Sequence, residues 1–197
     1  MRKHSFCGHE IYSTDVPGEK VDIDQILSEL FINKKDYSFS HFIQKRWENI
    51  YLDPALVPAV LPVFSLAVSF SRQAYDQKLI IPHELLGFKH NEFWFNIAKP
   101  GESTGVHNHK DKSTLSGVFY LQIPEKSGHL FFKKGKSHEV EFQVKTGQMV
   151  LFPSILNHYV SENRSKSTRI SLAFNCFTFP LTEDSMEFGY EKSKYFG

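Results

Sequence analysis

Three histidines in the second half of the chain have the residue type and spacing of a metal site. His107 and His109 are one residue apart, and His158 follows about fifty positions later. Residues i and i+2 of a β-strand point to the same face of a sheet, so the first two imidazoles can meet the third inside a β-structure. Imidazole binds iron, copper, nickel and zinc alike. The three residues therefore predict a metal site without naming the metal.

The third ligand can be assigned in two registers. In the first, His107, His109 and His158 bind the metal. In the second, His109 and Asp111 form a His-x-Asp pair and His158 completes a set of two histidines and one carboxylate, which non-haem iron(II) oxygenases commonly use. We favour the first register, because Asp111 lies in a short polar run that is typical of a solvated turn. The sequence leaves both registers open.

A cationic residue, Arg169, follows His158 by eleven positions, which is far enough along the chain to lie on the next strand. Arg169 precedes an apolar run, and Ser171 lies on the same strand face as Arg169. A guanidinium binds a carboxylate through two parallel hydrogen bonds, and a hydroxyl can add a third. A charge that faces into a strand-lined cavity needs an anionic partner. Arg169 and Ser171 therefore predict an anion-binding site beside the metal.

The elements that must carry these side chains are short apolar runs separated by turn residues, and they begin after Pro82. The predicted strands cover residues 93–98, 115–123, 129–132, 140–144, 149–152 and 170–179. Strands at this spacing are typical of sandwiches and barrels. Earlier in the chain, an apolar stripe after Asp22 predicts a helix through about Asn33. A second helical region is predicted from Asp53-Pro54 to about Gln77, with an interruption at Pro62.

The predicted fold class is mainly β with N-terminal helices. We expect one domain over residues 1–197, with helical support in 1–87, a β core in 88–180 and a C-terminal tail in 181–197. The formal net charge of +1 favours neither nucleic acid nor an anionic membrane as a partner. Two distant cysteines predict no disulfide framework, and no apolar run reaches the length of a membrane span. A cytoplasmic location is expected, and the sequence leaves the oligomeric state undetermined.

Residues 91–177 resemble the 2-oxoglutarate/Fe(II)-dependent oxygenase family, which has a double-stranded β-helix (jelly-roll) core related to the cupins. Each fragment of the resemblance is weak alone, and the combination is specific. The matching features are Trp94-Phe95-Asn96, His107-x-His109, the run from Leu115 to Leu121, Gly147-x-x-x-Leu151-Phe152-Pro153, His158 and Arg169-Ile170-Ser171-x-x-Phe174-Asn175.

The resemblance implies cofactors, a reaction and residue roles. Fe(II) would be held by the histidines, and 2-oxoglutarate would chelate it, with the distal carboxylate bound by Arg169 and Ser171. Asn96 and Tyr120 could bond the co-substrate or bound water, or serve only in packing. The implied enzyme is a dioxygenase of the hydroxylase type. It would oxidise an unidentified small-molecule or peptide substrate with O2 and release succinate and CO2.

Two other functions remain open from the sequence. A cupin-type metal protein would act as a dioxygenase or isomerase without 2-oxoglutarate, or as a metal-binding module. The spacing from Gly101 to His109 fits the first cupin motif, but the glutamate expected after His109 is missing and Ile155 stands where the second motif has glycine. A metal-free interaction module would leave the three histidines unexplained. The pair Arg169 and Ser171 separates the oxygenase from the cupin, which needs no anchor for a dicarboxylate.

Overall fold

The computed structural model describes residues 1–43, 46–83, 91–110 and 113–179, and this part of the chain is mainly β. It contains two α-helices, α1 (Ile23–Ile32) and α2 (Leu61–Tyr75). Its strands are β1 (Arg2–Phe6), β2 (His9–Asp15), β3 (Ser38–Ile43), β4 (Arg46–Tyr51), β5 (Leu79–Ile80), β6 (Phe93–Ala98), β7 (Thr104–His107), β8 (Leu115–Gln122), β9 (Leu130–Lys134), β10 (His138–Phe142), β11 (Gln148–Pro153), β12 (Asn157–Val160) and β13 (Arg169–Thr178).

The eight strands from β6 to β13 form two four-stranded antiparallel layers. The larger sheet contains the order β11-β8-β13-β6, and the smaller sheet has the order β10-β9-β12-β7. Except for the β9–β10 hairpin, successive strands cross from one sheet to the other. Residues far apart in the chain, such as those of β7 and β12, therefore become neighbours.

Two N-terminal hairpins extend the larger sheet at its ends. β2 pairs with β11, and β4 pairs with β6 through Ile50 and Phe95. Residues 1–87 thus contribute strands as well as the helices that the sequence predicted for them. The strand β3 is exposed along nearly its whole length. An edge strand without a buried face lacks the alternation that marks a strand in sequence, which explains why β3 was not predicted.

The helices begin where local residue chemistry allows. The Asp22 carboxylate accepts a hydrogen bond from the Gln25 backbone N–H at 2.9 Å, which caps α1. Pro62 lies in the first turn of α2, where the missing N–H costs no helical hydrogen bond. It therefore does not interrupt a helix from Asp53, because α2 starts only at Leu61 and a 3-10 turn over Pro58–Val60 precedes it.

Alternating side chains of the larger sheet build a core on each of its faces. On one face, Phe93, Phe95, Phe119 and Phe174 pack with apolar residues of α1 and α2. On the other face, apolar and aromatic residues of both sheets pack between the layers, among them Tyr120, Phe132 and Phe152. The larger sheet is thus packed against a hydrophobic core on each of its two faces. Among the described residues, neither helix has the length and apolarity needed to span a membrane.

Gly117 of β8 provides a test of the packing under the helices. A Cβ atom at this position would overlap the ring of Phe174 and lie 2.9 Å from Leu151 Cδ2. We expect Gly117→Ala to lower the free energy of unfolding by about 1–3 kcal/mol, the usual cost of overpacking a core. Urea denaturation would measure the change. Gly105→Ala is the control, since a Cβ atom added there would meet nothing within 4 Å, and equal effects of the two substitutions would contradict the packing argument.

Candidate metal and anion site

Two short strands of the smaller sheet position the three histidines. His107 ends β7 and is paired directly with His158 of β12. His109 follows two residues later, and its backbone N–H donates to the Ser154 carbonyl at 2.9 Å, which ties the loop after β7 to the turn before β12. Cross-strand partners lie close together in antiparallel pairs. The pairing therefore brings together residues that are about fifty positions apart in sequence.

The three imidazoles form one compact cluster. The ring centroids of His107 and His158 are 4.3 Å apart, and the other two pairs are separated by 5.1 and 5.5 Å. One potential ligand nitrogen from each residue lies within 4.8 Å of the others. No carboxylate belongs to this cluster among the described residues. Asp111, the alternative ligand, lies outside the described part of the chain.

The hydrogen bonds of two histidines orient their rings for metal binding. The Nδ1 atom of His107 lies 2.8 Å from the Gly105 carbonyl, and that of His158 lies 2.9 Å from the Leu156 carbonyl. A carbonyl only accepts, so Nδ1–H must donate, and Nε2 keeps its lone pair. This outer-sphere arrangement is typical of metal-binding histidines. The residues therefore fit a metal ion that prefers nitrogen ligands.

Burial keeps the imidazole of His158 neutral. Burial lowers the pKa of His158 well below its ordinary value, and the neighbouring His107 and His109 lower it further. A neutral imidazole is the form that binds metals, because protonation removes the lone pair. His158 is thus prepared for coordination without any change of protonation at neutral pH.

Arg169 is a buried cation with almost no hydrogen-bond partners. Its side chain is 1% exposed, and its one hydrogen bond is a long contact of 3.5 Å from Nη1 to Ser171 Oγ. Nε and Nη2 of Arg169 and the hydroxyl of Tyr120 have no partner among the described residues. The guanidinium carbon lies 5.4 Å from the centroid of the Tyr120 ring. Burial lowers the pKa of Arg169 and raises that of Tyr120. These unused donors point to an anionic ligand, because buried polar groups are otherwise hydrogen-bonded.

A second buried arginine, Arg46 of β4, was not predicted as part of the site. It donates to Asn96 Oδ1 at 3.3 Å and to Thr104 Oγ1 at 3.1 Å, and it forms an ion pair with Glu102 at 3.4 Å. The Asn96 amide in turn donates to the Glu48 carbonyl at 3.0 Å. Asn96 is therefore held by its neighbours in a fixed orientation. No motif around Arg46 marks it in sequence, since its partners come from strands about fifty residues away.

All seven residues predicted for the site line one cavity between the two sheets, which we call the inner cavity. Its volume is about 560 Å³. The predicted residues that line it are His107, His109, His158, Arg169, Ser171, Asn96 and Tyr120. Trp94, Thr104 and Ser116 also line it, although no sequence pattern assigned them a role. The metal-ligand candidates and the buried guanidinium thus line the same partly open cavity.

Removal of single ligand candidates would test the metal site. We expect the chain to bind one Fe(II) ion under anaerobic conditions, and His107→Ala or His158→Ala to weaken binding at least about 100-fold, because loss of an outer-sphere partner alone costs about 10- to 100-fold. Equilibrium dialysis with iron analysis would measure the affinity. His9→Ala, on β2 and outside the cluster, is the control. Iron that survives His107→Ala but is lost in Asp111→Ala would favour the second register.

Comparison with known proteins relates this site to one family. The family model described as "Putative 2OG-Fe(II) oxygenase" matches residues 92–141 and 132–175, the segments that contain all three histidines and Arg169. A comparison with curated protein sequences finds no match. The cofactors expected from the sequence, Fe(II) and 2-oxoglutarate, are those in the name of the matched family.

Solved structures of low sequence identity share the fold. The α-ketoglutarate-dependent epimerase SnoN of nogalamycin biosynthesis has a TM-score of 0.63 at 12% identity, over 85% of this chain and 76% of its own. A second structure of SnoN, in complex with Fe3+, α-ketoglutarate and nogalamycin RO, gives a TM-score of 0.59 with this chain. The carbocyclase SnoK of the same pathway gives 0.61 at 12% identity, over 90% and 85% of the two chains. A Pseudomonas putida prolyl-4-hydroxylase gives 0.59 at 19% identity, over 86% and 92%. The resemblance to the 2-oxoglutarate/Fe(II)-dependent oxygenase family is confirmed by its family model over residues 92–175, within a fold that these enzymes share.

Proposed function

We propose that the protein is an Fe(II)- and 2-oxoglutarate-dependent oxygenase of the hydroxylase type that oxidises an organic substrate. The observation that carries this proposal is the unpaired guanidinium of Arg169, buried in the same cavity as the three imidazoles. A buried charge is costly unless it is paired. A carboxylate of 2-oxoglutarate would supply the missing partner and bring the keto-acid end of the molecule towards the histidines.

The strand order supports assigning the core to the double-stranded β-helix. Two antiparallel four-stranded sheets face each other, and the chain alternates between them. We further propose that residues 1–197 form one domain, because both N-terminal hairpins add strands to the sheet that contains β13. In this assignment the metal ligands come from the smaller sheet and the anion-binding residues from the larger one.

Each residue of the inner cavity has a proposed role. His107 and His158 would hold iron through Nε2, because their Nδ1 atoms face backbone carbonyls, and His109 would supply the third nitrogen. Arg169 would bind the distal carboxylate of 2-oxoglutarate, and the hydroxyls of Ser171 and Tyr120 would add hydrogen bonds. Iron and 2-oxoglutarate together would supply the oxidising chemistry with O2, with release of succinate and CO2.

The remaining residues of the cavity position groups and exclude water. Asn96, held by Arg46 and by the Glu48 carbonyl, offers one further N–H and one further lone pair to a bound ligand or water. Phe152 packs 4.8 Å from the His158 ring and closes the cavity towards the core between the sheets. An apolar wall beside the cluster keeps bulk water away from the reacting groups, which strengthens the electrostatic interactions within the site.

The cupin alternative leaves the chemistry of Arg169 unexplained. A cupin that works without a dicarboxylate has no use for a buried guanidinium, and no acidic side chain forms an ion pair with Arg169 among the described residues. The oxygenase requires such a group. We therefore do not propose the cupin function.

Anaerobic titration with Fe(II) and 2-oxoglutarate tests the proposed function directly. We expect the weak visible metal-to-ligand charge-transfer band to appear. We expect Arg169→Met to raise the 2-oxoglutarate concentration at half-maximal absorbance by about 10- to 100-fold, because a charged hydrogen bond is worth about 1.5–3 kcal/mol. Arg164→Met, at an exposed arginine, is the control. An unchanged midpoint in Arg169→Met would disprove the anchor, and failure of the band to form would disprove the function.

Substitution of the two buried arginines, Arg46 and Arg169, should affect the free energy of unfolding differently. Arg46 has several partners that its removal would leave unsatisfied, so we expect Arg46→Met to lower the free energy of unfolding by about 1–3 kcal/mol. Arg169 has almost none, and a buried unpaired charge is itself destabilising. Arg169→Met should therefore leave the ligand-free protein at least as stable as the wild type. Urea denaturation without iron or 2-oxoglutarate measures both, and a clear loss of stability in Arg169→Met would mean that Arg169 has a structural role.

A further inference from the structure

A second cavity adjoins two of the histidines, His107 and His109, and the charge of its described lining is opposite to that of the inner cavity. This outer cavity has a volume of about 830 Å³ and shares His107, His109 and Trp94 with the inner one. Its described lining contains two carboxylates, Glu48 and Glu92, and no lysine or arginine. The inner cavity has the reverse composition, with one guanidinium and no carboxylate in its described lining. Two members of the histidine cluster, His107 and His109, line both cavities.

The carboxylate of Glu48 is the decisive group of the outer cavity. Its side chain is 6% exposed, and Oε1 accepts one hydrogen bond, from the Gly105 backbone N–H at 3.3 Å. Oε2 has no hydrogen-bond partner, and Glu48 forms no ion pair within the described ranges. A carboxylate buried to this extent is normally compensated by a cation or by several donors. Among the described residues, the Gly105 N–H is the one donor to Glu48, and Oε2 is not among the fully buried atoms without a partner. Glu48 lines the outer cavity, where a bound cation would pair with its carboxylate.

An irregularity in the β3–β4 hairpin accompanies the position of Glu48. His41 has a positive φ of 60°, and the pairing of β3 with β4 skips the position where His41 would meet Glu48. Non-glycine residues rarely adopt this conformation, and such departures from regular pairing redirect side chains. His41 and Glu48 both line the outer cavity as a result. The irregular pairing of the hairpin therefore accompanies the position of both side chains in the cavity lining.

Two aromatic side chains also line the outer cavity. Tyr51 and Trp94 line the outer cavity with their ring centroids 6.4 Å apart and their planes inclined by 51°. Trp94 also lies 5.6 Å from the ring of His109, which places it between the cavity and the histidine cluster. The faces of tryptophan and tyrosine attract organic cations, and ammonium ligands in particular. A buried anion beside two such faces has the composition of an ammonium-binding site.

We propose that the outer cavity binds the substrate through a positively charged ammonium group held by Glu48, Tyr51 and Trp94. This inference rests on the proposed function, because it makes the outer cavity the substrate site of the oxygenase. The opposite charges of the two cavities keep the two ligands apart. Arg169 attracts the diacid and Glu48 repels it, whereas Glu48 attracts the ammonium compound and Arg169 repels it. The carbon atoms near the ammonium group would then face the histidines.

Ligand binding to the metal-free protein tests this assignment independently of iron and 2-oxoglutarate. Trp47→Phe leaves Trp94 as the one tryptophan, and its fluorescence can follow titration with choline, ethanolamine and 3,3-dimethylbutan-1-ol, the uncharged analogue of choline. We expect saturable binding of at least one ammonium compound, at least about tenfold tighter than that of the alcohol. If neither ammonium compound binds more tightly than the alcohol, the assignment is wrong.

Matched variants locate the binding. Glu48→Gln keeps the acceptor for the Gly105 N–H and should reduce ammonium binding at least about tenfold, whereas Glu125→Gln removes the same charge from an exposed loop and should have no effect. Tyr51→Leu should weaken binding and Tyr51→Phe should retain it, because the ring face and not the hydroxyl attracts the cation. Unchanged affinity in Glu48→Gln would overturn the proposal. Ammonium binding without a charge-transfer band would disprove only the oxygenase, and a band without ammonium selectivity would disprove only this substrate assignment.

Discussion

A buried positive charge with no counter-ion in the described part of the chain is the constraint around which the site is organised. Arg169 is buried at the start of β13, between the two sheets, with nearly all its donors unused. A protein tolerates such a group only where the surrounding fold holds it in place, and the cost is offset when an anion binds. Ligand affinity and the instability of the ligand-free site are therefore two consequences of the same interaction.

The rigidity that this requires comes from the larger sheet. Its strands are packed on one face by α1 and α2 and on the other by the core between the sheets. Because side chains alternate along a strand, Phe119 points to the helices and Tyr120 to the cavity. Close packing under the helices, as at Gly117, thus supports the position of Arg169 indirectly.

The two cavities of the site are lined by groups of opposite charge. Among the described residues, the inner one is lined by a guanidinium and the outer one by two carboxylates; His107 and His109 line both cavities, and the neutral His158 lines the inner one. A metal ion held by the histidines would therefore lie next to both cavities, whose linings carry opposite charges. Arg46 contributes to this division without facing a ligand, because it is neutralised by Glu102 and bonded to Asn96, so its charge is already used within the protein.

The sequence by itself determined the local chemistry and much of the regular structure. His107-x-His109, His158 and Arg169 were found from residue type and spacing, and six strands from β6 to β13 were predicted near their observed bounds because apolar runs and turn residues are local signals. The strands that hold His107 and His158, Thr104–His107 and Asn157–Val160, were not in that prediction, since four residues are too few to display a period. Only the tertiary structure decided that these strands pair, that Arg46 and Glu48 reach the site from a distant hairpin, and that Arg169 meets no acidic side chain within the described ranges. These facts depend on contacts between residues far apart in the chain. The order of residue types along the chain does not indicate which distant side chain will pair with a buried charge.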